Sequence, residues 1–374
     1  MRRRPFIVDS LTLLGTVVLI SGSLNFFAAF ASASTSVSGL DSPDAIAVTT
    51  TDVWVANFLG NSVSEYNSKT GSLVRVIDAK ADGFHRPDGI AVSGTHVWVS
   101  NGNRELGMGT LDYPLARYSS VTELNATNGS LVRVIKAPAD HLVEPGPIVV
   151  SGSNVWVVNL NATANADSSS AVTLVELSAA DGSLEHLYTA NQDGLSGVLN
   201  LTATKSDVWL TNAVGAEGSV VELNAQSGSL VRIIKAKKDA LIAPGPISVD
   251  GSHVWIANIR TRKNSVVELN SKSGSLVRVI NTPADDFNGL LGIATNGSRV
   301  WTTNSKGASS GGTTNSVVEL NAGTGALVRI INAKADGLNG PSDIVVENSK
   351  LWVLNAESIT ELNAVDGSLV RVIK

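Results

Sequence analysis

Short apolar runs recur along the chain, each bounded by turn-forming residues, and residues 244–280 show the unit in full. Pro246-Ile247-Ser248-Val249 is a first run, Asp250-Gly251-Ser252-His253 a tight turn, and Val254-Trp255-Ile256-Ala257-Asn258 a second run. A variable stretch leads to Ser265-Val266-Val267-Glu268-Leu269-Asn270, and Ser271-Lys272-Ser273-Gly274 turns the chain into Ser275-Leu276-Val277-Arg278-Val279-Ile280. Short runs rich in β-branched residues and separated by Gly-bearing turns predict four strands, a to d, in an antiparallel meander.

The unit recurs seven times. Each copy carries one of the seven tryptophans: Trp54, Trp98, Trp156, Trp209, Trp255, Trp301 and Trp352. Three residues after each comes an asparagine: Asn57, Asn101, Asn159, Asn212, Asn258, Asn304 and Asn355. A period of about 40–50 residues with several strands per unit is the mark of propeller blades. The pattern predicts an all-β fold, a seven-bladed propeller, with blades starting near residues 43, 87, 145, 197, 244, 290 and 341. In this phase every repeat supplies a whole blade from residue 43 to residue 374. No strand-exchange closure is expected, and apolar contact between blades one and seven is expected to close the ring. Residues 34–42 read as a lead-in, of which 34–40 should be dispensable for stability.

Recurring residues first admit structural explanations. The tryptophans are expected between neighbouring blades, where burying each large ring contributes a few kcal/mol. The asparagines end strand b and are expected to hydrogen-bond into the loop that follows. A strand-c glutamate recurs as Glu65, Glu123, Glu176, Glu222, Glu268, Glu319 and Glu361. A strand-d arginine recurs as Arg75, Arg133, Arg232, Arg278, Arg329 and Arg371, with His186 in the third blade's slot. Around the Gly turn these are near cross-strand neighbours, so a Glu–Arg pair is expected within each blade.

The first 33 residues break the pattern. Arg2, Arg3 and Arg4 precede an apolar stretch from Leu11 that ends in Ala31-Ser32-Ala33, the form of an export signal with a cleavage site. A signal peptide over 1–33 makes the mature protein secreted or extracytoplasmic, with no membrane span. Uncleaved, the same stretch is about long enough for an anchor. Cleavage removes three arginines and Asp9, taking the net charge from −5 to −7. An acidic body without a basic tract argues against nucleic-acid binding. With no cysteine in the chain, blade packing alone must provide stability. A monomer is expected.

Loop lengths separate the two faces of the ring. The a–b and c–d turns barely change between blades, whereas the b–c loops do: residues 58–61 in blade one, 102–119 in blade two, 160–171 in blade three and 305–315 in blade six. In a propeller the b–c and inter-blade d–a loops share a face, and loops on a rigid scaffold carry function. The candidates on that face are Arg104, Glu105, Asp112, Tyr113, Arg117 and Tyr118 in the long blade-two loop, with His85 and Arg86 beside it. Aromatic residues and arginine are the types that dominate binding hot spots. A protein or small-molecule ligand is the expected partner. Asp44, Asp88 and Asp343 lead into strand a on three adjacent blades, and three carboxylates there could hold Ca²⁺ or Mg²⁺. No cofactor is otherwise required, and no catalytic nucleophile constellation is visible among the five scattered histidines.

Units such as Pro87-Asp88-Gly89-Ile90-Ala91-Val92 followed by Val97-Trp98-Val99-Ser100-Asn101 resemble the NHL/YVTN-type bacterial propellers, a group that includes virginiamycin B lyase-like proteins. The resemblance spans residues 43–374. It implies the propeller fold and a range of roles, from lyases and lactonases to sensors and adhesion or scaffold modules. The lyases use a histidine and a glutamate with a metal at the channel face, and no such pair transfers to this chain. The expectation is therefore a binding scaffold, with a metal-assisted lyase or hydrolase as the alternative.

Overall fold

A computed structural model describes residues 39–374, except 79, 103–118, 137–140, 161–171, 190–193, 196, 215–216, 236–239, 260–263, 282–283, 285, 307–313 and 333–336. Its strands form seven separate four-stranded sheets, each an antiparallel meander of consecutive strands. Blade one comprises strand a (Pro43–Val48), b (Asp52–Asn57), c (Ser62–Asn67) and d (Leu73–Ile77). Blade seven comprises Asp343–Glu347, Lys350–Leu354, Ile359–Asn363 and Leu369–Ile373. Both end blades are complete, so the ring closes without strand exchange.

Cross-strand register explains the recurring residues. In blade one Ala47 lies opposite Trp54, Trp54 opposite Glu65, and Glu65 opposite Arg75. Directly opposed residues share a sheet face, so a small residue, a tryptophan, a glutamate and an arginine form a row across the blade. The other arginine-bearing blades repeat it, as in Ser248–Trp255–Glu268–Arg278. Each row faces the next blade. All seven tryptophans are at most 1% exposed, and each belongs to an apolar cluster spanning two successive blades. Trp352 of blade seven packs with Ile46, Val53 and Val55 of blade one, so the closing interface has the same core as the rest.

The arginine completes the interface. Arg75 Nε sits 2.8 Å from Glu65 Oε2, and the same pair recurs in all six arginine-bearing blades. The guanidinium's remaining donors then reach the next blade. Arg133 Nη2 donates to the Ala180 carbonyl at 3.0 Å, and Arg278 Nη2 to that of Gly323 at 3.0 Å. These carbonyls lie in c–d turns whose glycine has a left-handed backbone, φ +76° at Gly182 and +73° at Gly325, as does Gly129 (+71°) in the turn that receives Arg75. A Cβ at Gly129 would stand 2.8 Å from Arg75 Cδ, so both backbone conformation and close approach require glycine. Blade three, with His186, makes the link differently. Tyr188 Oη bonds Glu176 Oε2 at 2.7 Å and the Gly228 carbonyl of blade four at 3.0 Å.

Residues 39–42 fill the place that the d–a connection fills elsewhere. Leu40 is buried in the closing cluster, and the Gly39 carbonyl accepts hydrogen bonds from Asn57 Nδ2 at 3.2 Å and from the Ser64 hydroxyl. At least the end of the segment expected to be dispensable is thus part of the seam. Strands d lie at the rim as edge strands and expose Leu and Val side chains, among them Val74, Val231 and Val370.

Candidate functional site

The variable face is organised by the asparagines that end strand b. Their side chains reach back to the preceding d–a connection, and in blade seven Asn355 Nδ2 also donates to the Ser358 carbonyl of the following loop at 3.3 Å. Asn159 Oδ1 accepts the Val143 N–H at 3.0 Å while its Nδ2 donates to the His141 carbonyl at 2.9 Å. Asn258 does the same with the Ile242 N–H and the Ala240 carbonyl, and Asn304 with Asn288 and Asp286. Several also donate to the serine opening strand c, as Asn258 does to Ser265 Oγ at 2.8 Å. Asn101 bonds Ser120 Oγ at 3.2 Å and Thr122 Oγ1 at 3.1 Å. An amide offers both donors and an acceptor, so in blades such as two and five one residue ties three segments together at the root of the loop.

Just before strand a the connection passes through the left-handed region: Ser42 at φ 52°, Arg86 at 50°, Glu144 at 46°, Ala243 at 49°, with Gly289 and Gly340 in the same place. Glycine is the relaxed choice there, and a side chain costs of order 1 kcal/mol or more. Blades two and three nonetheless carry Arg86 and Glu144. The Arg86 N–H donates to Asn61 Oδ1 at 2.8 Å, its guanidinium lies 5.7 Å from the Phe58 ring centre, and its carbonyl accepts the Gly102 N–H. The Glu144 N–H donates to Ser119 Oγ at 3.0 Å. His85 N–H donates to Asn101 Oδ1 at 3.4 Å, placing His85 and Arg86 against the two ends of neighbouring b–c loops. Arg104, Glu105, Asp112, Tyr113, Arg117 and Tyr118 lie outside the described residues.

The strands a surround a cavity of about 370 Å³ at the centre of the ring. Asp44, Asp88 and Asp343 all line it, with Asn200, Ser248 and Ser342. Asp44 and Asp88 occupy bulges: Pro43 pairs with Asn57 and Ala45 with Ala56, leaving Asp44 between, and Asp88 is placed likewise between Pro87 and Gly89. Asp343 instead pairs with Leu354 in regular register. Its carboxylate accepts the Ile344 N–H at 2.8 Å and a backbone hydrogen bond from Ile46 of blade one. Burial pushes its pKa up to about 6 against those two bonds. Among the described residues no group of three or more His, Cys, Asp and Glu side chains is arranged to hold a metal ion.

The mouth is chemically lopsided. Blades one to three carry Ser42 and Asp44, Arg86 and Asp88, and Glu144 and Gly146 at two matching positions, whereas blades four to six carry Gly197 and Leu199, Ala243 and Gly245, and Gly289 and Leu291. The sequence shows that contrast only once the repeats are aligned on their asparagines.

No protein-family model matches this chain, and no curated protein sequence matches it. Solved structures do resemble it. A Kuenenia stuttgartiensis hydrazine synthase chain superposes with a TM-score of 0.65 over 90% of this chain and 99% of its own, at 13% identity. U3-55K superposes at 0.60 with 12% identity, over 83% of this chain and 88% of its own. The propeller domain of Myceliophteria thermophila Cps50 (Swd1) superposes at 0.59 with 8% identity, over 84% of this chain and 94% of its own. At these identities the likeness establishes the seven-bladed fold alone.

Proposed function

We propose that this chain is an exported NHL/YVTN-type propeller that binds a protein or small-molecule ligand through its b–c and d–a loop face. The observation that carries the reading is the contrast between two faces built by one repeat. The a–b and c–d turns are uniform, and the c–d turns serve blade-to-blade links. The opposite face spends left-handed backbone on Arg86 and Glu144 where the fold alone favours glycine. It also varies most in loop length where those residues lie. Binding centred over blades one to three, with the long blade-two loop as the main recognition element, follows from that placement.

The export reading rests on the basic and apolar residues of 1–33 and their small-residue end. A metal-assisted lyase or hydrolase would need Asp44, Asp88 and Asp343 to converge on an ion, and Asp343 already receives two backbone N–H groups. Affinity capture with the mature protein is the direct test, comparing wild type with a variant in which 103–116 is replaced by a short Gly-Ser turn. Loss of specific partners with an unchanged melting curve supports the reading. Capture of the same partners at equal affinity assigns recognition elsewhere.

A further inference from the structure

Two residues before each tryptophan, strand b opens on a side chain that lies beside the strand-c glutamate. In five blades it is a hydrogen-bond donor or a cation. His96 Nδ1 lies 2.5 Å from Glu123 Oε1, Asn154 Nδ2 2.6 Å from Glu176 Oε1, and His253 Nδ1 2.6 Å from Glu268 Oε1. Arg299 Nε lies 2.9 Å from Glu319 Oε1 and Lys350 Nζ 3.4 Å from Glu361 Oε1. In blades one and four the slot holds Asp52 and Asp207, in unchanged register. Asp52 opposes Asn67 and Asp207 opposes Asn224, as His96 opposes Asn125.

An ionised aspartate has only acceptors to offer its glutamate. Two neighbouring carboxylates resist ionising together, which favours the protonated form of one of them. The groups around them leave that problem unsolved. Strand d supplies a single cation to each, Arg75 at 2.8 Å from Glu65 Oε2 and Arg232 at 2.5 Å from Glu222 Oε2. The facing c–d turns present the Thr127 and Lys272 carbonyls to those arginines, and Lys272 is the one charged residue of the facing turns. Hydroxyls hold the aspartates: Thr51 Oγ1 to Asp52 Oδ2 at 2.6 Å, Ser206 Oγ to Asp207 Oδ2 at 2.5 Å. Both glutamates are at most 4% exposed.

We propose that Asp52–Glu65 and Asp207–Glu222 are shared-proton pairs that make the one/two and four/five blade interfaces pH-sensitive seams, tight when protonated and loosened when the proton leaves. Burial, reinforced by Asp207 and opposed by Arg232, pushes Glu222 up to about 7. Burial, reinforced by Asp52 and opposed by Arg75, pushes Glu65 up to about 6. A folded-state value above the ordinary 4.5 means that the stabilisation is complete below 4.5 and is lost as pH rises through about 6 and then about 7. The two seams divide the ring into blades two to four and blades five to one, so above about pH 7 both joints between these two sectors are loosened together.

The test is the thermal midpoint of the protein between about pH 5.5 and pH 8.5, for wild type and for the double variant Asp52→Asn with Asp207→Asn. Asparagine occupies the slot in blade three, where Asn154 bonds Glu176, so the variant keeps a fold-compatible residue. The wild-type midpoint should fall on the order of 5 °C over that range, and the fall should be measurably smaller in the double variant, where burial of Glu65 and Glu222 remains but the second carboxylate is gone. Burial also pushes Asp343 up to about 6 at the seven/one interface and raises Glu176 and Glu268; these shares persist in the double variant, and that of Asp343 disappears in Asp343→Asn. Hydrogen exchange, corrected for its intrinsic pH dependence, should quicken several-fold in strands d of blades one and four but not in blade six. A wild-type midpoint independent of pH, or a pH dependence unchanged in the double variant, overturns the proposal.

Discussion

Arg371 Nη2 donates a hydrogen bond to the carbonyl of Lys69 at 2.9 Å, joining the last strand of the ring to the first blade. It does at the closing seam what Arg133 and Arg278 do at internal ones. Arg371→Ala leaves Glu361, 1% exposed, with Lys350 as its remaining cation and removes the link to Lys69. Because the arginine is about a quarter exposed, solvent screens part of the loss, and the expected cost is roughly 1–3 kcal/mol. Denaturant unfolding of Arg371→Ala beside Arg133→Ala checks this. Equal costs mean the seam is an ordinary interface, and a far larger cost at Arg371 means closure is its weakest point.

Leu40 is expected to matter more than its place at the chain's entry suggests. It sits with Trp352, Tyr66 and Ile373 in the closing cluster. Leu40→Ala should cost about 2–4 kcal/mol. A protein beginning at Pro43 should melt several degrees below one beginning at Gly39. Indistinguishable melting curves would remove residues 39–42 from the seam.

Two glycines with similar backbones should behave differently. Gly94 (φ +58°) has nothing within 4 Å of an added Cβ, while at Gly129 (φ +71°) that Cβ meets Arg75 and Ile77 below 3.0 Å. Gly94→Ala should cost about 1 kcal/mol, the conformational penalty alone. Gly129→Ala adds displacement of Arg75, so roughly 2–3 kcal/mol is expected. Equal melting midpoints for the two variants would show that the arginine moves aside freely.

Tyr188→Phe isolates the substitute link of blade three. The hydroxyl bonds both Glu176 and the Gly228 carbonyl. Its removal leaves a buried carboxylate short of one donor and should cost about 1–2 kcal/mol. Urea titration measures it, and a cost near zero would mean that Asn154 alone satisfies Glu176 at this interface.

Much of the fold is legible in the sequence because the blade is a local object. Strand order, the Glu–Arg pairs and the burial of the tryptophans all follow from period, alternation and turn chemistry. What was not legible are the contacts across blades, whose partners are set by the curvature of the ring. Arg75 meets Thr127 and Tyr188 meets Gly228 only after neighbouring blades are stacked. The asparagines show the same limit: the preceding connection that Asn159 and Asn258 hold is 16 or 18 residues away in sequence and is brought beside them only by the fold. One signal was present for Leu40. Seventeen residues before the blade asparagines stand Leu40, Phe84, Leu142, Leu195, Leu241, Phe287 and Leu338, always a large apolar residue. For the candidate site, the sequence distinguishes the variable face through loop length, while the left-handed backbone at Arg86 and Glu144 emerges only in three dimensions.

The asparagine at the end of strand b also makes this ring a display frame. Asn101 lies directly opposite Ser120, and Asn258 directly opposite Ser265, so in these blades the b–c loop leaves and re-enters through two adjacent, anchored residues. Whatever length of chain joins them, the stems stay where the amide holds them. A foreign peptide spliced between Asn101 and Ser120 would have its ends pinned side by side, as in a cyclised ligand, with the entropy of closure already spent by the host.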